Sequence, residues 1–169
     1  GEFAGVENVT LGARGQVHIN VEHMIGKQNS GVVKITGQGS NRVIAHNLSY
    51  YREDNKRVYV VTATQSSEPN RARIAGTFNR FLNMSNWLRV TNLTSKTRDV
   101  TLKVHTASGS NSYDYEIPAY GGIDVPLHED GYGISKNTLG MFEVINDEPG
   151  AIFAQAYRMK HADNVPYDF

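Results

Sequence analysis

The chain has 169 residues, 17 Lys+Arg against 17 Asp+Glu, and no cysteine. Zero formal charge without a basic cluster offers nothing to nucleic acid or to an anionic membrane surface, and the missing cysteine removes disulfides, thiol catalysis and Cys-ligated zinc together. No apolar run approaches the ~18 residues that span a bilayer, and this length can bury a real core.

Gly1-Glu2-Phe3 reads as a cloning scar, so the remainder is expected to come from a longer parent chain. Strand signals follow. Residues 7–11 come first, and then Val17-His18-Ile19-Asn20-Val21, which alternates apolar and polar as a half-buried strand does. Further strands are expected at 31–36, 42–51 and 57–63. The stretch 64–86 opens with the polar run Gln65-Ser66-Ser67-Glu68-Pro69-Asn70 and reads as a connection. Within it, 71–81 can form one or two helical turns or run extended; Gly76, Ile74 and Thr77 argue against a long helix. Strands resume at 87–92, 99–106, 112–117, 122–127, 140–145 and 151–159. Turn chemistry separates them, at Ser108-Gly109-Ser110-Asn111, Tyr120-Gly121-Gly122, Asp130-Gly131 and Glu148-Pro149-Gly150.

Two stretches repeat. Gly31 to Asn55 lies on Gly140 to Asn164 without a gap, and Leu11 to Ile19 lies on Ile117 to Val125. A period of about 105–110 residues is a domain's worth of chain, not a solenoid unit. The reading is an all-β antiparallel sandwich, Ig-like or jelly-roll-like, built from two related β-halves: 4–63 as a partial first repeat, 64–86 as the connection, and 87–169 as the second repeat. A half-domain with bare strand edges is an aggregation hazard, which favours two packed halves over two separate beads. Trp87-Leu88-Arg89-Val90-Thr91-Asn92 followed by Ile117-Pro118-Ala119-Tyr120-Gly121-Gly122 is similar in style to bacterial extracellular β-sandwich repeats. That likeness implies no functional residue.

Little in the chain points to chemistry. The six histidines show neither the helical i, i+4 nor the strand i, i+2 spacing of a metal pair. For calcium, Asp124, His128-Glu129-Asp130 and Asp147-Glu148 place acids near loops, yet no Asp-x-Asp-x-Asp loop gathers them, so no cofactor is expected. There is no Gly-x-Ser-x-Gly elbow, and Gly37-Gln38-Gly39-Ser40 lacks the lysine and helix of a phosphate loop. The expectation is not an enzyme.

Carbohydrate is the most serious ligand. Tyr120, in a turn, and Tyr132, in the Asp130-Gly131-Tyr132-Gly133 loop, are the aromatic candidates, with Asp124, Glu129 and Asp130 as hydroxyl-binding acids. Trp87 is assigned to a core edge and Tyr157 to a core row, and the Asn-x-Ser/Thr triplets at Asn8, Asn47, Asn83 and Asn92 are taken as incidental. The favoured function is a non-catalytic extracellular or cell-surface module for adhesion, spacing or ligand presentation. Its contacts are expected in loops 108–112, 128–138 and 146–150, and its partner is a polysaccharide or a surface protein. The runner-up is a carbohydrate-binding module, and a more distant reading is an accessory domain of a secreted hydrolase.

Overall fold

The computed structural model describes residues 4–13, 15–26, 33–37, 47–53, 56–63, 72–81, 85–162 and 165–168; for 47–63 and from 159 onward only the backbone is described. Among the described residues, one helical turn, α1 (Glu22–Ile25), is followed by ten strands. These are β1 (Asn47–Glu53), β2 (Lys56–Ala63), β3 (Arg73–Asn79), β4 (Ser85–Asn92), β5 (Arg98–Thr106), β6 (Gly109–Ile117), β7 (Gly122–Pro126), β8 (Leu139–Ile145), β9 (Ile152–Ala162) and β10 (Val165–Asp168).

Two antiparallel sheets pack as a sandwich, the expected fold class. The front sheet runs β7-β4-β9 with short β10 at its edge, and the back sheet runs β3-β8-β5-β6. Every strand of the sandwich lies in 73–168, whereas β1 and β2 form a hairpin of their own. Part of the stretch read as a connection is therefore a strand: of the two conformations considered there, the extended one holds over Arg73–Asn79, and β3 pairs with β8.

Alternation explains the strands of the sandwich. Leu88 and Val90 of β4, Val100, Leu102 and Val104 of β5, Val125 of β7 and Val144 of β8 are all buried, and their neighbours along each strand point outward. Ile117, Leu127, Ile134, Phe142, Ile152 and Ala154 complete one continuous core. The same alternation fails to make strands further upstream. The described residues of 7–11, 17–21 and 33–36 pair with nothing, and Val17, Ile19, Val33 and Ile35 stay exposed. Alternation marks a face that needs covering, but a strand also needs a partner edge for its amides. The expected positions 31, 32 and 42–46 lie outside the described residues.

The β3–β8 pair is closed by two reciprocal contacts. Gly76 stands opposite Phe142 and Phe78 stands opposite Gly140. Each phenyl ring lies over the glycine facing it, so a side chain at Gly76 would strike Phe142 and one at Gly140 would strike both Phe78 and the His105 carbonyl. Both rings are buried. A ring laid across a glycine covers backbone that a β-carbon would otherwise shield.

At the far end of β4, Asn92 is buried to 1% exposure. Its amide nitrogen donates to the carbonyls of Lys96 at 2.7 Å, Ile117 at 3.0 Å and Pro118 at 3.0 Å. Its amide oxygen accepts from the Thr94 N–H at 2.9 Å and the Thr94 hydroxyl at 2.8 Å. One side chain thus ties the β4–β5 connection to the end of β6. With both amide atoms engaged in the interior, Asn92 is not a glycan acceptor in the folded protein.

Two substitutions test these contacts by chemical denaturation. Asn92→Ala strands several buried polar groups and is expected to cost at least about 2 kcal/mol. Gly140→Val forces Phe78 out of its place and is expected to cost about 1–3 kcal/mol through overpacking.

Candidate functional site

The outer face of the front sheet brings aromatic rings together with a fixed ion pair. Residues directly opposite in an antiparallel pair project to the same side. Leu88 and Val90 point into the core, so Trp87 and Arg89 must point out. Trp87 is flanked by Pro126 of β7 and Tyr157 of β9, and the next rung is Asp124, Arg89 and Gln155. Phe153 follows, opposite Thr91. Trp87, Arg89, Phe153, Gln155 and Tyr157 are all half-buried.

The middle rung is set by charge. Arg89 Nε donates to Asp124 Oδ1 at 2.7 Å, and a terminal guanidinium nitrogen donates to Oδ2 at 2.6 Å. This fork-on-fork pair fixes both side chains in the plane of the face. The hydrogen bond to Asp124 raises the pKa of Arg89 above its ordinary value, against an opposing contribution from burial. Beside it, the His128 ring is tilted by 59° to Trp87 with centroids 5.2 Å apart. His128 Nδ1 lies 2.9 Å from the Asn86 carbonyl, which only accepts, so Nδ1 carries the proton. The result is a rigid surface of rings beside a fixed guanidinium, a carboxylate and an amide. Such a surface can stack on a flat apolar ring and hydrogen-bond its rim.

The five residues singled out in the sequence do not meet. Asp124 is on this face, held by Arg89. Tyr120 is exposed, in a left-handed conformation (φ 50°) just before β7, with its N–H donated to the Thr94 carbonyl. Tyr132 lies in the loop after β7, near the opposite end of that strand. It is half-buried, packs edge-on against Tyr113 with centroids 5.0 Å apart, and shares a 3.0 Å hydroxyl contact with Tyr115. Glu129 and Asp130 are exposed on the 3-10 turn that carries Tyr132.

Of the three loops expected to make contacts, 108–112 and 128–138 converge. Ser108, Ser110, Asn111, Tyr132 and Gly133 line a shallow depression of about 180 Å³, and the Arg80 guanidinium braces the loop by donating to the Ile134 carbonyl. Loop 146–150 lies apart from them, where Glu148 pairs with Arg98. Among the described residues no three His, Asp or Glu side chains gather to hold a metal.

Sequence reasoning assigned Trp87 and Tyr157 to the core, and the structure corrects this: both face outward. The signal was present in the alternation of Trp87 and Arg89 with Leu88 and Val90. Strand period decides the face.

The back sheet differs. A polar ladder crosses it from Arg73 to Glu143 (3.2 Å), from Glu143 to His105 Nε2 (3.3 Å), and from His105 Nδ1 to Ser110 Oγ (2.7 Å). Hydroxyl, imidazole and carboxylate stand here in the order of a nucleophilic relay. Catalysis also needs donors aimed at a developing oxyanion in a site that excludes water, and this face is open, with Ser110 exposed.

Two measurements follow from the site electrostatics. Asp124→Asn is expected to cost no more than about 1 kcal/mol, and less at high salt, because the pair is partly exposed. Burial, then the contact with Tyr132, raises the Tyr115 pKa above its ordinary 10.0. The folded state therefore holds that proton more tightly than the unfolded state. This stabilisation is complete below about pH 10 and is lost as the pH climbs through the folded value. Thermal unfolding should shift downward above about pH 10, with a shallower shift in Tyr115→Phe.

No protein-family model matches the chain, and no curated protein matches it. Among solved structures the chain is similar to the Anabaena sensory rhodopsin transducer, over 52% of this chain and 96% of that one. The identity is 13% and the TM-score 0.41. A likeness of that degree carries no argument about function.

Proposed function

We propose that the chain is a non-catalytic extracellular or cell-surface module that holds or presents a ligand, as an adhesion or spacer domain does. The observation that carries this reading is the outer face of the front sheet, where Trp87, Pro126 and Tyr157 form one rung and Asp124, Arg89 and Gln155 form the next. Rings and paired charges fixed on a rigid sheet suit a surface that binds, whereas a reaction needs groups converging around a substrate in a cleft. The depression beside Asn111 and Tyr132 is shallow, and its aromatic ring is engaged by Tyr113 and Tyr115.

Polysaccharide is the ligand chemistry this face favours. Pyranose rings present apolar C–H faces that stack on Trp and Tyr. Their hydroxyls take bidentate and amide partners of the kind that Arg89, Asp124 and Gln155 offer.

A glycan array probed with the purified chain, with calcium and again with chelator, tests both statements. Saturable binding to one sugar class is expected, weakened at least tenfold by Trp87→Ala and unchanged by Tyr120→Ala. Loss in Tyr132→Ala with Trp87→Ala unaffected would move the site to the loop-end depression. A blank array in both conditions would remove polysaccharide and leave a protein partner. Turnover of an ester or glycoside substrate would overturn the non-catalytic reading.

A further inference from the structure

The repeat seen in the sequence has a counterpart in the backbone, at two separate places. Gly15 N–H donates to the Gly12 carbonyl at 2.9 Å, and Gly121 N–H donates to the Pro118 carbonyl at 2.9 Å. Those are matching positions when Leu11 is laid on Ile117. The β1–β2 hairpin pairs Glu53 with Lys56 and Tyr51 with Tyr59. The β9–β10 hairpin pairs Ala162 with Val165 and Lys160 with Asp168. These too are matching positions when Gly31 is laid on Gly140. In both hairpins the register slips between those two pairs, with the extra residue on the second strand. A bulge is a specific local device, and alternation alone does not generate the same slip twice.

Side-chain exposure then separates the copies. Leu11, Ile19, Val33 and Ile35 are 42%, 40%, 53% and 52% exposed. Their counterparts Ile117, Val125, Phe142 and Val144 are 0%, 1%, 4% and 1% exposed, inside the sandwich core. Residues 4–63 thus hold matches for β6 to β10 and none for β3, β4 or β5. Of these, β4 stands between β9 and β7, and β5 between β8 and β6, each inside its sheet.

We infer that residues 4–63 are the second half of a sandwich of the same design, whose bare apolar row is a docking face for a strand pair of the β4–β5 kind. In the sandwich β5 runs into β6 through only Ala107 and Ser108, so a pair joined to the β6 match by as short a link can reach the row. Such a pair would restore the middle of both sheets, hydrogen-bond the edges on either side of it, and cover the row. This inference does not depend on the ligand reading of the front face.

The test is a chain in which a second copy of residues 73–108 is joined ahead of residue 4, compared with the unextended chain by amide hydrogen exchange. The amides of Val17, Ile19, Val33 and Ile35 are expected to exchange freely in the unextended chain. In the extended chain they should gain at least hundredfold protection, with a fall in binding of an apolar dye. A control extension carrying Leu88→Asp and Leu102→Asp in the added copy only should give no gain. Three results would overturn the inference: no gain in the extended chain, equal gain with the control, or amides already protected in the unextended chain. In the last case, protection independent of concentration would mean the chain covers its own row, and protection that tracks dimer formation would mean a second copy does.

Discussion

The sandwich depends on one crossing. β4 lies at the middle of the front sheet, β5 lies at the middle of the back sheet, and residues 93–97 carry the chain from one to the other. Asn92 fixes that crossing, with three carbonyls around its amide nitrogen and Thr94 on its amide oxygen. Two of the three carbonyls, Ile117 and Pro118, belong to the end of β6. The same side chain therefore also sets where β6 stops and the Tyr120 turn begins. A buried amide is costly unless each of its groups is satisfied, and once satisfied it admits few alternative arrangements. Leu88, Val90, Val100 and Leu102 take their inward positions from the register this crossing imposes.

The two outer faces diverge from that common frame. On the back sheet, the Arg73–Glu143–His105–Ser110 ladder and the Thr101–Asp114 bond tie neighbouring strands together through their polar groups. On the front sheet Arg89 is bound to Asp124, and the pair stands beside half-buried rings. A face whose polar groups are mutually satisfied gains little by binding. A face of rings beside one rigid ion pair retains apolar area that a ligand can cover. This contrast, more than any single residue, distinguishes the two sides of the sandwich.

The upstream segment shows what the crossing contributes by what happens without it. Val17, Ile19, Val33 and Ile35 have the spacing and residue type of sandwich strands, and the turn at Gly12 and Gly15 has the geometry of its counterpart. Local conformation and the β1–β2 hairpin form regardless, since their contacts are near in sequence. Burial does not follow, because the strands that would stand between these segments are not among residues 4–63.

Fold class, the strands of 87–159 and the core positions on β4, β5 and β8 were legible from period-2 alternation and turn residues, since those are local properties written in adjacent side chains. Four things were not: the pairing of β3 with β8 through reciprocal Phe and Gly contacts, the meeting of Trp87 and Tyr157 on one rung, the separation of Tyr120 from Tyr132 by the length of β7, and the capture of Asp124 by Arg89. Each depends on which strands become neighbours and in what register, and register is decided by long-range packing of the two sheets. The sequence by itself determined which residues seek an interior. Only the tertiary structure decided which of them find one, because burial needs a partner surface and that surface comes from elsewhere in the chain.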